Sequence, residues 1–184
     1  MRLQMRREES PSAQTALASA VNRIMGMVEV HNLLAKSTSN KINIKELISS
    51  LLELNIQTFL MPGQVIKTKV SGADISLTAD RSLSIALVAN ELIINALKHA
   101  FSGRDRGRLE ANIERCDDGI VISLKDDGNG LPADFNITGS ANLGLKLVRS
   151  VVEDDLSGEF ILRNYTANKI SGVVAEIKIS IKNP

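Results

Sequence analysis

Hydrophobic positions run along this chain in two rhythms, one of three to four residues and one of two. The first opens behind Ser10-Pro11, where Ser can cap a helix and Pro suits its first turn. From there Leu17, Val21, Ile24, Val28, His31 and Ala35 recur at helical steps and define one apolar stripe, in which His31 reads as a packed residue. A stripe of that length needs a partner, either the rest of the chain or a second copy. Residues 37–40 are polar and read as a linker. A second helical period (Ile44, Leu47, Ile48, Leu51, Leu52, Asn55) predicts a helix over 43–59, stopped by Met61-Pro62-Gly63. The two-residue rhythm follows over 65–70, before a turn at Ser71-Gly72. Asp80 can cap a strong helix reaching about Ala100, after which alternation returns over 108–116 and 120–125, joined at Asp117-Asp118-Gly119 as a hairpin. A Gly-rich stretch over 126–142, a helix over 143–155 and strands over 158–164 and 173–182 complete the chain. Helices and antiparallel strands in this order predict an α+β fold, one sheet with helices on one face.

The helix that ends near Ala100 carries polar residues that a core helix does not need. Ala86, Ala89, Ile93, Ala96, Leu97 and Ala100 share the face expected to lie on the sheet, while Glu91, Asn95 and Lys98 fall together opposite it. Asn is a poor helix-interior residue because its amide competes for backbone groups. A carboxylate, an amide and an ammonium in one row suit an acid, a metal ligand and a phosphate contact. They also suit a solvated face with i,i+4 pairs, and periodicity leaves both readings open. Next, Asp126-Asp127-Gly128-Asn129-Gly130-Leu131-Pro132 begins where a strand ends. Glycines two apart let a backbone approach a ligand closely, and a strand-end carboxylate can accept a hydrogen bond from an exocyclic amine such as that of adenine. An ordinary turn has the same composition. Third, Asn142-Leu143-Gly144-Leu145-Lys146 puts a Gly in the first turn of a helix, whose free N–H groups and dipole favour phosphate. A plain capped helix would look alike. Neither G-x-x-x-x-G-K-[ST] nor a post-strand G-x-G-x-x-G is present to account for these parts.

Composition narrows the classes. With 184 residues, 43% of them hydrophobic, the chain can hold one ordinary domain plus a helical extension. Its net charge of +1 argues against nucleic acid or an acidic membrane surface as the main partner. Arg104, Arg106 and Arg108 sit among Gly and Asp without stacking aromatics, and read as a solvated hairpin or loop. The single cysteine, Cys116, excludes an internal disulfide and reads as a small strand residue. The most apolar run, 83–97, is interrupted by Asn90, Glu91 and Asn95, and so falls short of the roughly 20 apolar residues that span a bilayer. A soluble, cytoplasmic segment is expected.

Taken in order, ELIINALKHAF, DDGNGLP and NLGLKLV resemble the N, G1 and G2 boxes of the histidine-kinase-type ATPases. The similarity is closest to the catalytic domain of bacterial two-component sensor histidine kinases, in the subgroup where the first box is followed by a Gly- and Arg-rich segment, here residues 102–108. The resemblance implies a Bergerat-type two-layer fold over 39–184, preceded over 1–38 by part of a dimerisation and phosphotransfer hairpin. It implies ATP and Mg²⁺ as ligands. Asn95 would bind the Mg²⁺ and Glu91 would orient water or metal beside it, both in catalytic roles. Lys98 and His99 would lie near the phosphates. Asp126 would recognise the adenine amine, Gly128 and Gly130 would shape the pocket, 131–142 would form a lid, and Leu143, Gly144 and Leu145 would meet the phosphates. Two glycines common in the third box are replaced by Ser140 and Asn142, and Val173 stands where a base-contacting Thr is common. The phospho-accepting histidine expected in an E-[LI]-x-H-R-x-K-N stretch does not occur, so the chain is expected to begin just downstream of it. The implied partners are a response regulator receiver domain and a second copy, joined through the N-terminal hairpin in the full-length protein. A serine kinase of the same fold acting on an anti-anti-sigma partner, or a non-catalytic nucleotide-binding module, are the alternatives.

Overall fold

A computed structural model describes residues 11–36, 41–135, 143–167 and 170–180, with the side chains of α1 described at 20, 21 and 24–35. The cap at Ser10, the linker over 37–40 and the positions of Ser140 and Asn142 lie outside the described residues. The elements are α1 (Pro11–Lys36), β1 (Lys41–Asn43), α2 (Ile44–Phe59), β2 (Val65–Gly72), β3 (Ser76–Thr78), α3 (Ala79–Asn95), β4 (Arg106–Cys116), β5 (Gly119–Asp126), α4 (Leu143–Ser150), β6 (Gly158–Ala167) and β7 (Ile170–Ser180). Both α3 and α4 run on into single π-helical turns, Ala96–Ala100 and Val151–Asp155.

Five strands form one sheet in the order β2-β4-β5-β7-β6. Only β2 and β4 are parallel, and β3 with α3 supplies the crossover such a pair requires. The Asp117-Asp118 turn closes the expected β4–β5 hairpin, and Gly119, expected in the turn, is the first residue of β5, opposite Cys116. Cys116 is half-buried and free. Strand alternation sends Leu109, Ala111 and Ile113 of β4, Ile120, Ile122 and Leu124 of β5, and Ala175, Ile177 and Ile179 of β7 into one buried layer against the helices. The opposite face carries charged pairs such as Arg163–Glu176 and remains wet. The short antiparallel pair β1–β3 escapes sequence reading because three residues are too few to display a period.

Helix starts follow local chemistry, with one correction. Asn43 caps α2, its Oδ1 accepting from the N–H groups of Lys45 and Glu46 at 2.9 and 3.2 Å. Asp80 does not cap α3; Thr78 occupies that position and Asp80 lies in the first turn, where its charge suits the helix dipole. Residues 79–100 pass a length and composition test for a membrane span, yet this is the central helix of the core, buried between the sheet and its helical neighbours.

The stripe read along α1 faces outward. Gly26 and Val30 are buried and Leu33 and Leu34 pack on the core, whereas Val21, Ile24, Val28, His31 and Ala35 are exposed, Ile24 by 58%. The buried face is the one through Gly26 and Val30: Gly26 lies against Ala86 of α3, where an added Cβ would meet Ala86 at 3.7–3.8 Å, an ordinary contact distance. Ala86 accordingly meets α1 rather than the sheet. His31 is a surface residue, not a packed one.

Candidate nucleotide site

The period that builds β5 also builds the site. Ile120, Ile122 and Leu124 point inward, and the next inward position is Asp126, left only 6% exposed. Here the β5–β7 ladder stops: its last paired residues are Lys125 and Val174. The carboxylate takes over for the missing partner, Oδ1 accepting from the N–H of Val173 at 3.2 Å and of Gly128 at 2.9 Å, the latter closing an Asx turn. Burial raises the Asp126 pKa above the ordinary carboxylate value, against the pull of those two hydrogen bonds and with a smaller push from the charge of Asp127. Its Oδ2 takes no hydrogen bond among the described residues.

The Gly-rich loop is fastened nearly residue by residue. Asp127 accepts from the Arg108 N–H at 2.7 Å through its side chain, and the Arg104 guanidinium donates to its backbone oxygen. Asn129 N–H donates to the Ala100 carbonyl at 2.9 Å, the open end of the helix. Gly128 is buried against that end, where a Cβ would lie 2.4 Å from the Ala100 oxygen. Gly130 turns the chain at φ +80°, a left-handed conformation that favours glycine. Of the arginines read as a solvated loop, Arg104 thus anchors this turn, and Arg106 and Arg108 belong to β4 in register with β2.

Between this loop, the end of α3 and the start of α4 lies a cavity of about 500 Å³. Its walls are largely apolar (Leu92, Leu109, Leu124, Phe135, Leu145, Leu162, Val173), and Asn95, His99 and Asp126 supply the polar groups. That size and lining suit a small organic ligand with one flat apolar part.

The predicted site residues are distributed unevenly around this space. Asn95, His99, Asp126, Gly130 and Leu145 line it. Glu91 lies one turn before Asn95 and is 5% exposed, so the Glu91–Asn95 face is covered rather than solvated. Gly128 acts from behind, as the contact with Ala100. Leu143 is exposed and Gly144 half-buried at the start of α4, and neither lines the cavity. Lys98 is displaced from the row. Past Asn95 the helix is π-helical, so the 100° projection fails, and the ammonium lies over the Phe59 ring at 5.2 Å from its centroid. Of the predicted lid, only 131–135 falls among the described residues, contributing Leu131, Pro132 and Phe135 to the wall.

Several residues that build the site carry no local signal in sequence. Asn164 holds Leu131 by two hydrogen bonds, and Tyr165, the sole tyrosine, donates to the Asp126 carbonyl at 2.8 Å. Deeper in, Asn55 of α2 donates to Asn90 of α3 at 2.7 Å, both being at most 4% exposed. Asn164 at a strand end, and Asn55 and Asn90 on apolar helix faces, become informative only once the partner elements are assembled, and Tyr165 gives no such clue.

A buried acid at a strand end, a Gly-rich loop and the Asn95 end of a helix, arranged around one apolar cavity in an α+β domain, suit a small organic ligand that carries an amine. Comparison with known proteins agrees. Residues 80–182 match the family described as histidine kinase-, DNA gyrase B-, and HSP90-like ATPase, and residues 1–59 match a histidine kinase family. The chain is 30% identical over 159 residues to the sensor histidine kinase PdtaS of Mycolicibacterium smegmatis, covering 86% of this chain and 32% of that protein. It is likewise 30% identical over 165 residues to PdtaS of Mycobacterium tuberculosis, covering 89% and 33%. The chain thus spans about a third of the length of these relatives. Among solved structures, the histidine kinase domain of the Erythrobacter litoralis EL346 blue-light activated histidine kinase superposes with a TM-score of 0.73 at 21% identity, covering 89% of this chain and 75% of that one. The chain belongs to the histidine kinase family, with the family's ATPase domain over residues 80–182. Membership implies ATP binding. The match over 1–59 gives no support to the expected loss of the acceptor histidine.

Proposed function

We propose that this chain is the catalytic region of a sensor histidine kinase, binding ATP with Mg²⁺ and passing the γ-phosphoryl group to a histidine. The observation that carries this reading is the buried Asp126 carboxylate on the cavity wall, one oxygen held by two backbone N–H groups and the other turned to no protein donor. An exocyclic amine on the ligand donates to that second oxygen, whereas a carbonyl at the same place, as in guanine, repels it. The base would lie among Leu109, Leu124, Leu162 and Val173, and the phosphates toward Asn95 and the start of α4.

Oxygen donors for Mg²⁺ exist at the phosphate end: the Asn95 amide at the cavity and the Glu91 carboxylate one turn before it. Mg²⁺ commonly takes only one or two protein ligands and the rest from phosphate and water. Held by Asn95 and Glu91, Mg²⁺ would supply neutralisation of the phosphate charge. The chain's own contribution is orientation: Asn95 and His99 at the phosphate end, Asp126 at the base end, and an apolar wall that excludes water between them.

The acceptor is proposed to lie outside this chain. His99 belongs to the cavity itself, and His31 is exposed on α1 outside any E-[LI]-x-H-R-x-K-N stretch. In the full-length protein, a second copy would join through the N-terminal helices, a reading supported by the outward-facing Val21, Ile24, Met27 and Val28, and a response regulator receiver domain would accept the phosphoryl group. Titration of Mg-ATP and of adenosine into wild type and Asn95→Ala tests the site. A loss of about tenfold or more for Mg-ATP in the variant, with adenosine unchanged, is expected from removing one ligand of a charged centre. Equal Mg-ATP affinity in both proteins sinks the metal assignment, and a wild type that binds no ATP sinks the whole reading.

A further inference from the structure

We propose that Asn164 and Tyr165, consecutive residues of the edge strand β6, are positioning residues for adenine binding that hold the two ends of the 126–131 loop. The inference rests on the nucleotide reading above and goes beyond it, since neither residue lies in the three boxes.

Strand alternation puts the two side chains on opposite faces of the sheet. Asn164 points to the cavity side, where its Oδ1 accepts from the Leu131 N–H at 2.7 Å and its Nδ2 donates to the Leu131 carbonyl at 3.1 Å. One amide side chain therefore satisfies both backbone groups of the residue that follows the left-handed Gly130. Tyr165 works from the outer face. Its hydroxyl donates to the Asp126 carbonyl at 2.8 Å, although β7 lies between β6 and β5. The reach is possible because the β7 residue opposite Tyr165 is Gly172, where a Cβ would lie 2.1 Å from the Asp126 oxygen. The Lys125 ammonium sits 3.9 Å from the centroid of the Tyr165 ring and fixes the ring over this gap.

The hydrogen-bond accounting explains why such a clamp is needed. Beyond Lys125 the β5–β7 ladder has ended, so Asp126 can give its carboxylate to Val173 only while its own backbone oxygen finds a donor elsewhere. Tyr165 is that donor. Partial burial, and then the nearby charges of Asp126, Asp127 and Glu110, raise its pKa, which keeps the hydroxyl protonated. With the carbonyl held, the carboxylate direction is held too, and Leu131 is kept on the cavity wall at the other end of the loop. A loop that samples other states when either bond is lost binds with its affinity reduced by the fraction of time it is correctly arranged.

The experiment compares wild type, Asn164→Ala and Tyr165→Phe by titration with Mg-ATP and with adenosine, and by amide hydrogen exchange without nucleotide. Tyr165→Phe, which removes one ordinary hydrogen bond, is expected to weaken ATP by about threefold to tenfold, and Asn164→Ala, which removes two, by at least as much. Adenosine is expected to weaken by the same factor, because the loop holds the base and not the phosphates. A general loss of stability would not give that signature. It would also speed exchange across the sheet, whereas the clamp predicts faster exchange at Gly128, Leu131 and Val173 with Ile122 unchanged. Unchanged affinity in both variants, or exchange that rises equally at Ile122, overturns the inference. A wild type that fails to bind ATP overturns the nucleotide reading instead, and the exchange comparison still decides whether the two side chains hold the loop.

Discussion

Replacing Asp126 by Asn separates what the carboxylate does for the fold from what it does for the ligand. In the wild type Oδ1 accepts from Gly128 at 2.9 Å and Val173 at 3.2 Å, and an amide oxygen can accept both bonds unchanged. The second oxygen becomes an NH₂ group that faces the ligand amine donor to donor. A hydrogen bond to a charged group contributes about 1.5–3 kcal/mol, and the clash adds to its loss, so the Kd for ATP should rise about 100-fold or more. Stability should move the other way. Burial raises the folded pKa of Asp126 above its unfolded value, so the group's favourable contribution is complete only below the unfolded pKa, about 3.9, and is lost as pH rises through the folded pKa. As pH rises and the side chain ionises, it therefore costs stability that Asn does not. The assay is calorimetric titration with Mg-ATP, paired with nucleotide-free thermal unfolding from pH 4 to pH 8. Asp126→Asn should melt at or above the wild type at pH 7, with the difference shrinking toward pH 4. ATP affinity within threefold of wild type, or a variant several degrees less stable at pH 7, refutes the reasoning.

Three further substitutions follow from packing. Gly26→Ala should stabilise the protein by about 0.5–1 kcal/mol, because the added methyl meets Ala86 at ordinary contact distance while the helix interior loses a glycine; a drop in melting temperature would show that α1 docks differently. Asn55→Ala removes a buried amide that donates at 2.7 Å to both the Leu51 carbonyl and Asn90, at a cost of about 2 kcal/mol; that is a fall of about 4–8 °C for a chain of this size, and a shift under 1 °C contradicts it. Gly128→Ala forces a methyl to within 2.4 Å of the Ala100 backbone oxygen, so the loop must leave the helix end. It should cost about 1–3 kcal/mol in thermal unfolding and more than tenfold in ATP affinity, and wild-type values in both assays would show that this contact is slack.

The parts of the molecule that were legible in sequence are those whose signal is local. Alternation in 108–116 and 120–125 fixed the central hairpin, and the same period explains Asp126 as an inward-facing acid. Asn95 and His99, singled out by their motif, line the cavity. What failed was reasoning about which face of a helix meets which neighbour. The α1 stripe was counted with its partner left open, because a period shows that a face exists and not what covers it; the face through Gly26 and Val30 meets the core, and His31, read as packed, is exposed. Lys98 was projected onto the row of Glu91 and Asn95 by α-helical geometry that ends at Asn95. Asn164 and Tyr165 lie 33 and 39 residues from the backbone groups they hold, a separation no window-based reading spans.

The central claim is that this site passes the γ-phosphoryl group of ATP to a histidine. The direct measurement incubates the chain with Mg²⁺, γ-labelled ATP and a separately supplied helical hairpin bearing the acceptor histidine of a kinase of this family, then scores label by its stability in base and loss in acid. Label on the hairpin histidine, abolished by Asn95→Ala and absent when the hairpin is omitted, is the predicted result. Label on a serine, or none in the presence of saturating bound ATP, contradicts the account.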